Sequence, residues 1–507
     1  MENNMLKGFD ENTSFISQPV EKEKPEYSKA ETVLSVFVLI ASFCFVRYVL
    51  FHAMGFITTA VFIAIISAAI IYMKKKECEF SKFNKVFAAV LYIFSLVFSI
   101  TANSLVKNLD AAFLIGAGAY FVYSVGASSD KIDRFLPYAM FKAIFEYPFS
   151  HIGTQASITS DSLSNSKTGS NAKLILLGLI ITVPLTAIVA SLLMSADNGL
   201  EKMLSGIYDK IFREEFWNII LQLIVAVPCS LYLFGLFYSN SHRNELIALN
   251  EQVCTQKLYN MRVISNLVVY TAVTPICILY VLFFISQAGY FLSAFTKSLP
   301  EGFTYADYAR RGFFELFAVA LINLGVLCFM SLFSKKAGRE KPSALKFYSV
   351  LLSVFTLILI ATAMSKMVMY ISKYGLTALR FYTSWFMVLL AMIFVLIIIK
   401  QFRFDMKFSK HLAVIFTLMF GLLCFSRPEA IIARYNIEMY KSGNLEELDT
   451  DTIMRMSDDA VLTAYNEGVI TSEDISEFHE HNYDHSTDED KLRHFNISSV
   501  ILETRSH

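Results

Sequence analysis

Runs of about 18 to 25 consecutive apolar residues recur along this chain, and that repetition constrains its fold more than any other feature. A helix of that length crosses a hydrocarbon core of roughly 30 Å. Inside lipid every backbone polar group must be paired within the protein, so only helices and closed barrels span a membrane, and runs this long fit the helix. Eleven can be read: 33–51, 56–73, 86–106, 111–128, 172–196, 216–238, 263–291, 312–334, 347–371, 380–400 and 410–426. The expected fold is all-α, a polytopic integral membrane protein of about 11 transmembrane helices. Composition agrees. With 55% hydrophobic and 17% charged residues, a soluble chain of 507 residues could not cover its apolar surface. The 46 Phe and 25 Tyr suit lipid-facing helices with aromatic belts.

The connecting loops set the orientation. From a cytoplasmic N-terminus, the inner loops carry Lys74, Lys75, Lys76, Lys82 and Lys85; then Lys131, Arg134, Lys142 and Lys167; then Arg243, Lys257 and Arg262. Lys335, Lys336, Arg339, Lys341 and Lys346 follow, and finally Arg403, Lys407 and Lys410. The outer loops are poor in lysine and arginine, with only Lys107 in the second. Cytoplasmic loops carry the basic excess, so the chain reads as N-terminus in, C-terminus out.

Five parts follow in order. Residues 1–30 are polar and mixed in charge and read as a disordered cytoplasmic leader. Residues 31–128 form an N-terminal four-helix membrane part. Residues 129–171 hold a cytoplasmic amphipathic helix, with Phe135, Leu136, Ala139, Met140, Ala143, Ile144 and Tyr147 at helical spacing, and a Ser-rich linker. Residues 172–426 form a membrane core of seven helices. Residues 427–507, with 18 Asp and Glu against seven Lys and Arg, form an acidic extracytoplasmic region whose last 30 residues read as disordered.

Three stretches carry a family resemblance: Tyr305-Ala306-Asp307-Tyr308-Ala309-Arg310-Arg311-Gly312-Phe313-Phe314-Glu315-Leu316; Tyr374-Gly375-Leu376-Thr377-Ala378-Leu379-Arg380; and Ala433-Arg434-Tyr435-Asn436-Ile437 with Asp449 and Ser457-Asp458-Asp459-Ala460-Val461. In this order they resemble the bacterial polytopic membrane family known as domain of unknown function 4173, a relative of the 4153 family. The resemblance covers roughly residues 175 to 465, and the chain extends past the last motif into a His-rich acidic segment. What it implies is architecture and a bacterial cytoplasmic membrane; it brings no established activity.

Ionisable side chains within spans are the natural place to seek function, because each is costly in lipid. Arg47, Asp197, Arg311, Glu315, Lys366 and Arg380 all fall near outer helix ends. Two readings fit them. In one, Arg47 and Lys366 snorkel to headgroups and Arg311–Glu315 is a local ion pair one helical turn apart. In the other, Arg311, Glu315, Lys366 and Arg380 line an outward-facing polar chamber rimmed by Tyr305, Tyr308 and Tyr374. Three cations against one carboxylate would then favour an anionic amphiphile such as a lipid. Pro184, Pro228 and Pro275 lie near the middle of spans and are compatible with broken helices or with tolerated kinks.

His479, His481 and His485 in the tail have a spacing that metal ligands can use, set against a low-complexity acidic stretch that holds histidines by chance. Asp449, Asp451, Asp458 and Asp459 read as helix caps and solvated surface. The seven cysteines form no CxxC pair and read as reduced thiols. No Walker lysine loop, GxSxG elbow or dinucleotide fingerprint occurs, so no cofactor is implied. The dispersed lysines do not suggest nucleic acid. Expected partners are the bilayer and a lipid or other amphiphilic anion, with protein partners unknown. Two function classes remain: transport or handling of that amphiphile through the outward-facing charges, and a non-enzymatic membrane sensor or envelope assembly factor whose tail binds partners.

Overall fold

The computed structural model describes residues 28–127, 135–158, 214–242, 259–296, 313–335, 342–403, 405–483 and 495–506, with a few isolated positions besides. Among these, every regular element is a helix, apart from one isolated bridge between Ile264 and Ser334. Ten helices are long and apolar enough to span a membrane, and the chain is an all-α polytopic membrane protein. The predicted span at 172–196 and the amphipathic stripe at 200–211 lie outside the described residues.

Six of the spans gather around one core. They are α1 (Lys29–Phe45, prolonged by a π-helical turn, Val46–Leu50), α2 (Phe56–Lys75), α3 (Lys82–Ser95, continued by Val97–Ile100) and α4 (Ser104–Gly126), with α7 (Glu214–Ser241) and α12 (Phe408–Phe425). Between α4 and α7 run the short helices α5 (Leu136–Phe141) and α6 (Tyr147–Ser150). Leu34, Phe62, Leu91, Phe98, Phe121, Phe234, Phe237 and Phe420 fill this first unit. Aromatic contacts fasten α12 to it: ring centroids lie 5.7 Å apart for the stacked pair Phe94–Phe420 and 5.3 Å for the tilted pair Phe113–Phe420, with Phe94 and Phe113 themselves 4.6 Å apart. Such pairs add specificity where lipid is as apolar as the core and burial alone gives helices no reason to associate.

A second unit is built from α8 (Asn266–Thr296), α9 (Phe313–Phe333), α10 (Ser343–Tyr374) and α11 (Ala378–Phe402) around Val273, Leu327, Leu352, Leu359, Met387 and Phe394. Its polar clasp is buried: the Tyr280 hydroxyl donates to Asn323 Oδ1 at 2.7 Å, and Asn323 Nδ2 donates to Thr356 Oγ1 at 2.8 Å, tying α8, α9 and α10 together. Helix α11 joins the units. Its Met387, Leu390 and Phe394 belong to the second core, while Phe381, Tyr382 and Trp385 pack on the first. Pro228 and Pro275 sit inside α7 and α8, which run on through them as helix.

The tail folds into α13 (Pro428–Lys441), α14 (Thr450–Met454), α15 (Asp458–Asn466), α16 (Ser472–Tyr483) and α17 (Ile497–Ser506) around Ile437, Val461, Ile475 and Leu502. Helix α17 lies within the stretch read as disordered. Its amphipathic pattern places Leu502, fully buried, on the tail core.

Three further expectations change. The turn between α3 and α4 is residues 101–103, where Asn103 caps α4 by accepting from Val106 N at 2.8 Å. Lys107 and Asp110, which two nearby charges had made look like a loop, are therefore inside a membrane helix. The cytoplasmic amphipathic helix is broken into short pieces, with Pro137 in the first turn of α5. Its small and aromatic face (Ala139, Ala143, Tyr147) packs on Tyr120 and Tyr123 of α4, while Phe141, Phe145 and Phe149 are left exposed. The chain then passes along α7 so closely that the Pro148 carbonyl occupies the space of a Cβ at Gly235. Gln155, buried, donates to Ser230 Oγ at 2.7 Å and to the Ser35 carbonyl. This segment is an inserted wedge between α1 and α7 rather than a helix lying on the surface. Finally, Asp458 and Asp459 are buried rather than solvated.

Candidate functional site

Loops that the lysine count assigns to opposite sides do sit at opposite ends of the bundle. At the basic end Glu31, which caps α1, accepts from Lys76 at 2.6 Å, and His242 Nε2 lies 3.0 Å from it, so the ends of α1, α2 and α7 meet. At the other end the tail covers the turns after α1 and α3 and the loop after α10.

Asp459 fastens the tail there. Its side chain is fully buried, with Oδ2 accepting from Thr101 Oγ1 at 2.7 Å and Ala102 N at 2.8 Å. Oδ1 accepts from Arg427 Nε at 2.9 Å and Ser498 Oγ at 2.6 Å. Arg427 also donates to Ser498, and its backbone, at φ 52, is held in the left-handed region that a non-glycine residue enters only under constraint. Lys107 Nζ donates to the Met54 carbonyl and faces Asp458 and Asp459, and Phe56 N donates to the Phe495 carbonyl at 3.0 Å. One carboxylate thus joins four separate stretches of chain. The second attachment is Asn436, which accepts from Leu376 N at 2.6 Å and donates to the Leu376 carbonyl at 2.8 Å. It presses against Gly375, whose φ of +75 ends α10.

Of the predicted chamber, the structure pairs Glu315 with Lys366 and, separately, Arg380 with Tyr374. Lys366, half-buried on α10, lies close enough to Glu315 on α9 for their charges to interact. Lys366, Tyr370 and Tyr374 follow at four-residue spacing along one face of α10. The Arg380 guanidinium lies 4.0 Å over the Tyr370 ring and donates to the Tyr374 carbonyl at 3.1 Å and to the Gly375 carbonyl. Arg380 therefore closes the end of α10, satisfying carbonyls a helix terminus leaves over. Tyr305, Tyr308 and Arg311 lie outside the described residues. His479 and His481 fall in α16, but their side chains and the whole of His485 lie outside the described residues, so the metal reading is untested.

An apolar groove of about 430 Å³ opens between α8 and α9, walled by Val269, Val273, Ile276, Ile322, Val326 and Met330. A Cβ at Gly325, also in the wall, would meet nothing within 4 Å. Glu315 shares a helix face with two groove residues, Ile322 and Phe329, since all three recur every seven positions. From Glu315 to Ile322 the rise is about 10 Å. At the far end of the groove the residues before α8 and after α9 are pinned together, Ile264 N donating to the Phe333 carbonyl and Lys335 N to the Ile264 carbonyl.

In the tail, hydrogen bonds from the Thr452 amide and hydroxyl hold the Asp449 carboxyl below its ordinary range, and those from Thr471 do the same for Asp474. These two are helix-start carboxylates, as their spacing predicts for Asp449.

Sequence reasoning missed Asp459, Arg427 and Lys107. A signal was present in Ser426-Arg427-Pro428, where a cation meets the end of a membrane helix and an acidic tail follows. No curated protein and no solved structure matches the chain. The family model described as "Domain of unknown function (DUF4153)" matches residues 87–466, from within α3 to the end of α15. The match thus takes in the spans of both units from α3 onward and the Asp459 attachment, starting well before the resemblance at roughly 175. The chain belongs to the family known as domain of unknown function 4153.

Proposed function

We propose that this protein, in the cytoplasmic membrane of a bacterium, binds and handles an anionic amphiphile, a lipid in the simplest case, on its second unit. Within the family's surroundings we assign it to the 4173 relative, on the order of its Tyr305–Leu316, Tyr374–Arg380 and Ala433–Val461 motifs. The observation that carries the functional reading is the shared face of α9. A carboxylate facing Lys366 stands about two turns from an open apolar groove on the same side of the helix. A headgroup would meet Lys366, and a chain would follow Ile322 and Phe329 into the groove. Arg311, Tyr305 and Tyr308 would complete the headgroup region, with Arg380 and Tyr374 bracing its rim. Glu315 keeps Lys366 from carrying an uncompensated charge in lipid until a ligand anion replaces it.

Native mass spectrometry of the purified protein, released from micelles doped with matched anionic and zwitterionic phospholipids, tests this. Retention is expected to favour the anionic lipid several-fold and to lose that preference in Lys366→Gln. Equal retention of both lipids, unchanged by the substitution, would refute it.

A second reading, a sensor or assembly factor, draws support from the tail, which is anchored to the bundle while α16 presents the exposed acids Glu473 and Glu477. Charge reversal at Glu473 and Glu477 that abolished cellular function without altering lipid retention would favour it.

A further inference from the structure

The first unit holds a carboxyl that neither the tail attachment nor the lipid reading uses. Asp110 on α4 is fully buried, and among the described residues neither of its carboxylate oxygens has a hydrogen-bond partner. It lies about 9 Å inside the helix from Ser104. Lys107, one turn closer to the end, is directed elsewhere: it donates to the Met54 carbonyl and faces Asp458 and Asp459. Across the helix interface, Cys424 of α12 is near enough to feel the Asp110 charge. Tyr382 of α11 lies near Cys424 and Glu429, and its hydroxyl approaches Asn103 without a hydrogen bond of ordinary geometry. Glu429 stands at the start of α13 and accepts from Ser457 N at 2.8 Å.

The two sides of Asp110 differ. Toward the middle of the bundle, the next turn on each helix supplies Phe113 and Phe420, stacked with Phe94 and Phe416 into an aromatic plug. Toward the tail, polar groups follow one another: Cys424, Tyr382, Asn103 and Glu429. A bare carboxylate in such a place, with no donor and no facing cation, would cost several kcal/mol. Among the described residues no three metal-ligating side chains gather anywhere. A proton is the ligand that fits.

We propose that Asp110 is an exchangeable proton site on the tail side of the bundle, closed toward the basic end by the phenylalanine plug. Uptake forms one O–H bond on a carboxylate oxygen and removes one negative charge; release returns the proton to the tail-side medium. The site is independent of the lipid reading, because it lies in the other unit.

Dicyclohexylcarbodiimide tests it, since this apolar reagent adds to a protonated carboxyl in a membrane and leaves a stable acylurea. On the full-length protein in nanodiscs, the peptide carrying Asp110 is expected to be modified, at least fivefold faster at mildly acid than at alkaline pH. Asp110→Asn should abolish the adduct while leaving the protein folded, as the amide has the same shape. The pH profile on the unsubstituted chain is read by mass alone, so it stands even if the variant fails to fold. Absence of the adduct while other carboxyls of the chain react, or a rate independent of pH, would overturn the proposal. So would protection by sodium at fixed pH, which would make the ligand a metal cation.

Discussion

The two membrane units solve the same problem differently. Among the described residues the most buried apolar stretch, 61%, is in α4 of the first unit, and in α8 of the second 22% is buried. Helix α12 at the edge of the first unit, at 17%, and α10 of the second, at 44%, show that the contrast lies between the centres of the units and the helices at their edges. The first unit is sealed from several directions: the wedge after α6 fills it between α1 and α7, α12 is stacked on it by phenylalanines, and the tail caps it through Asp459. Among the described residues the second unit is clasped by the buried Tyr280–Asn323–Thr356 and the partly buried Thr274–Tyr348, and has an open apolar groove. Helices in lipid associate through close packing and polar contacts rather than by escaping water. A unit rich in both is a scaffold, whereas one whose α8 and α9 meet at Tyr280–Asn323 and part along the groove leaves room for an amphiphile. The contrast teaches that function in this fold is to be sought where packing is thin, and a protonatable group where packing is tight.

Breaking the seal should have the largest effect. Asp459→Asn removes the charge that pairs Arg427, and we expect a loss of about 3 kcal/mol, at the low end for a broken buried pair because Arg427 is partly exposed. The tail should become sensitive to protease at the α12–α13 junction, and thermal unfolding should move down. The next test puts one substitution in both units. Gly235→Leu drives a side chain into the Pro148 carbonyl and should cost about 1 to 3 kcal/mol or expel the wedge. Gly325→Leu enters open space and should leave thermal stability unchanged while lowering lipid retention. Equal destabilisation by the two would erase the distinction between units.

The smallest effect concerns the tail alone. The Asp449 and Asp474 carboxyls are held below their ordinary range by bonds from Thr452 and Thr471, so they favour the folded tail above that range. That contribution fades as pH falls through their depressed values. Tail helicity should hold from neutral pH to about pH 4 and decline slightly below it, a modest change because Asp449 is exposed and Asp474 only partly covered.

Spans were legible because 20 apolar residues in lipid permit one structure, and of the loops that the lysine count groups on one side, those before α1, after α2 and after α7 meet through Glu31, Lys76 and His242. What escaped was decided by contacts distant in sequence. Lys107 and Asp110 looked like a loop because a charge in a span is costly: the compensation of Lys107 lies far off, at Met54, Asp458 and Asp459, and Asp110 is buried with no partner at all among the described residues. The wedge kept its helical spacing in the sequence, but nothing local announced that Gly235 would leave space for Pro148. Asp459 resembled any helix-capping aspartate; its burial depends on Thr101, Arg427 and Ser498, which span nearly four hundred positions. At the charged cluster, Glu315 and Lys366 were found from their cost in lipid, while the role of Arg380 as a terminal brace followed only from where the α10 carbonyls point.

The central claim is the asymmetry between units, and site-mapped photolabelling tests it most directly. The protein would be reconstituted with an anionic phospholipid carrying a diazirine in its acyl chain, irradiated, digested and read peptide by peptide. The account predicts label concentrated on the α8 stretch from Ile264 to Ile276 and the α9 stretch from Ile322 to Met330, with little on α4. Label spread evenly over all spans, or concentrated on the first unit, would contradict it.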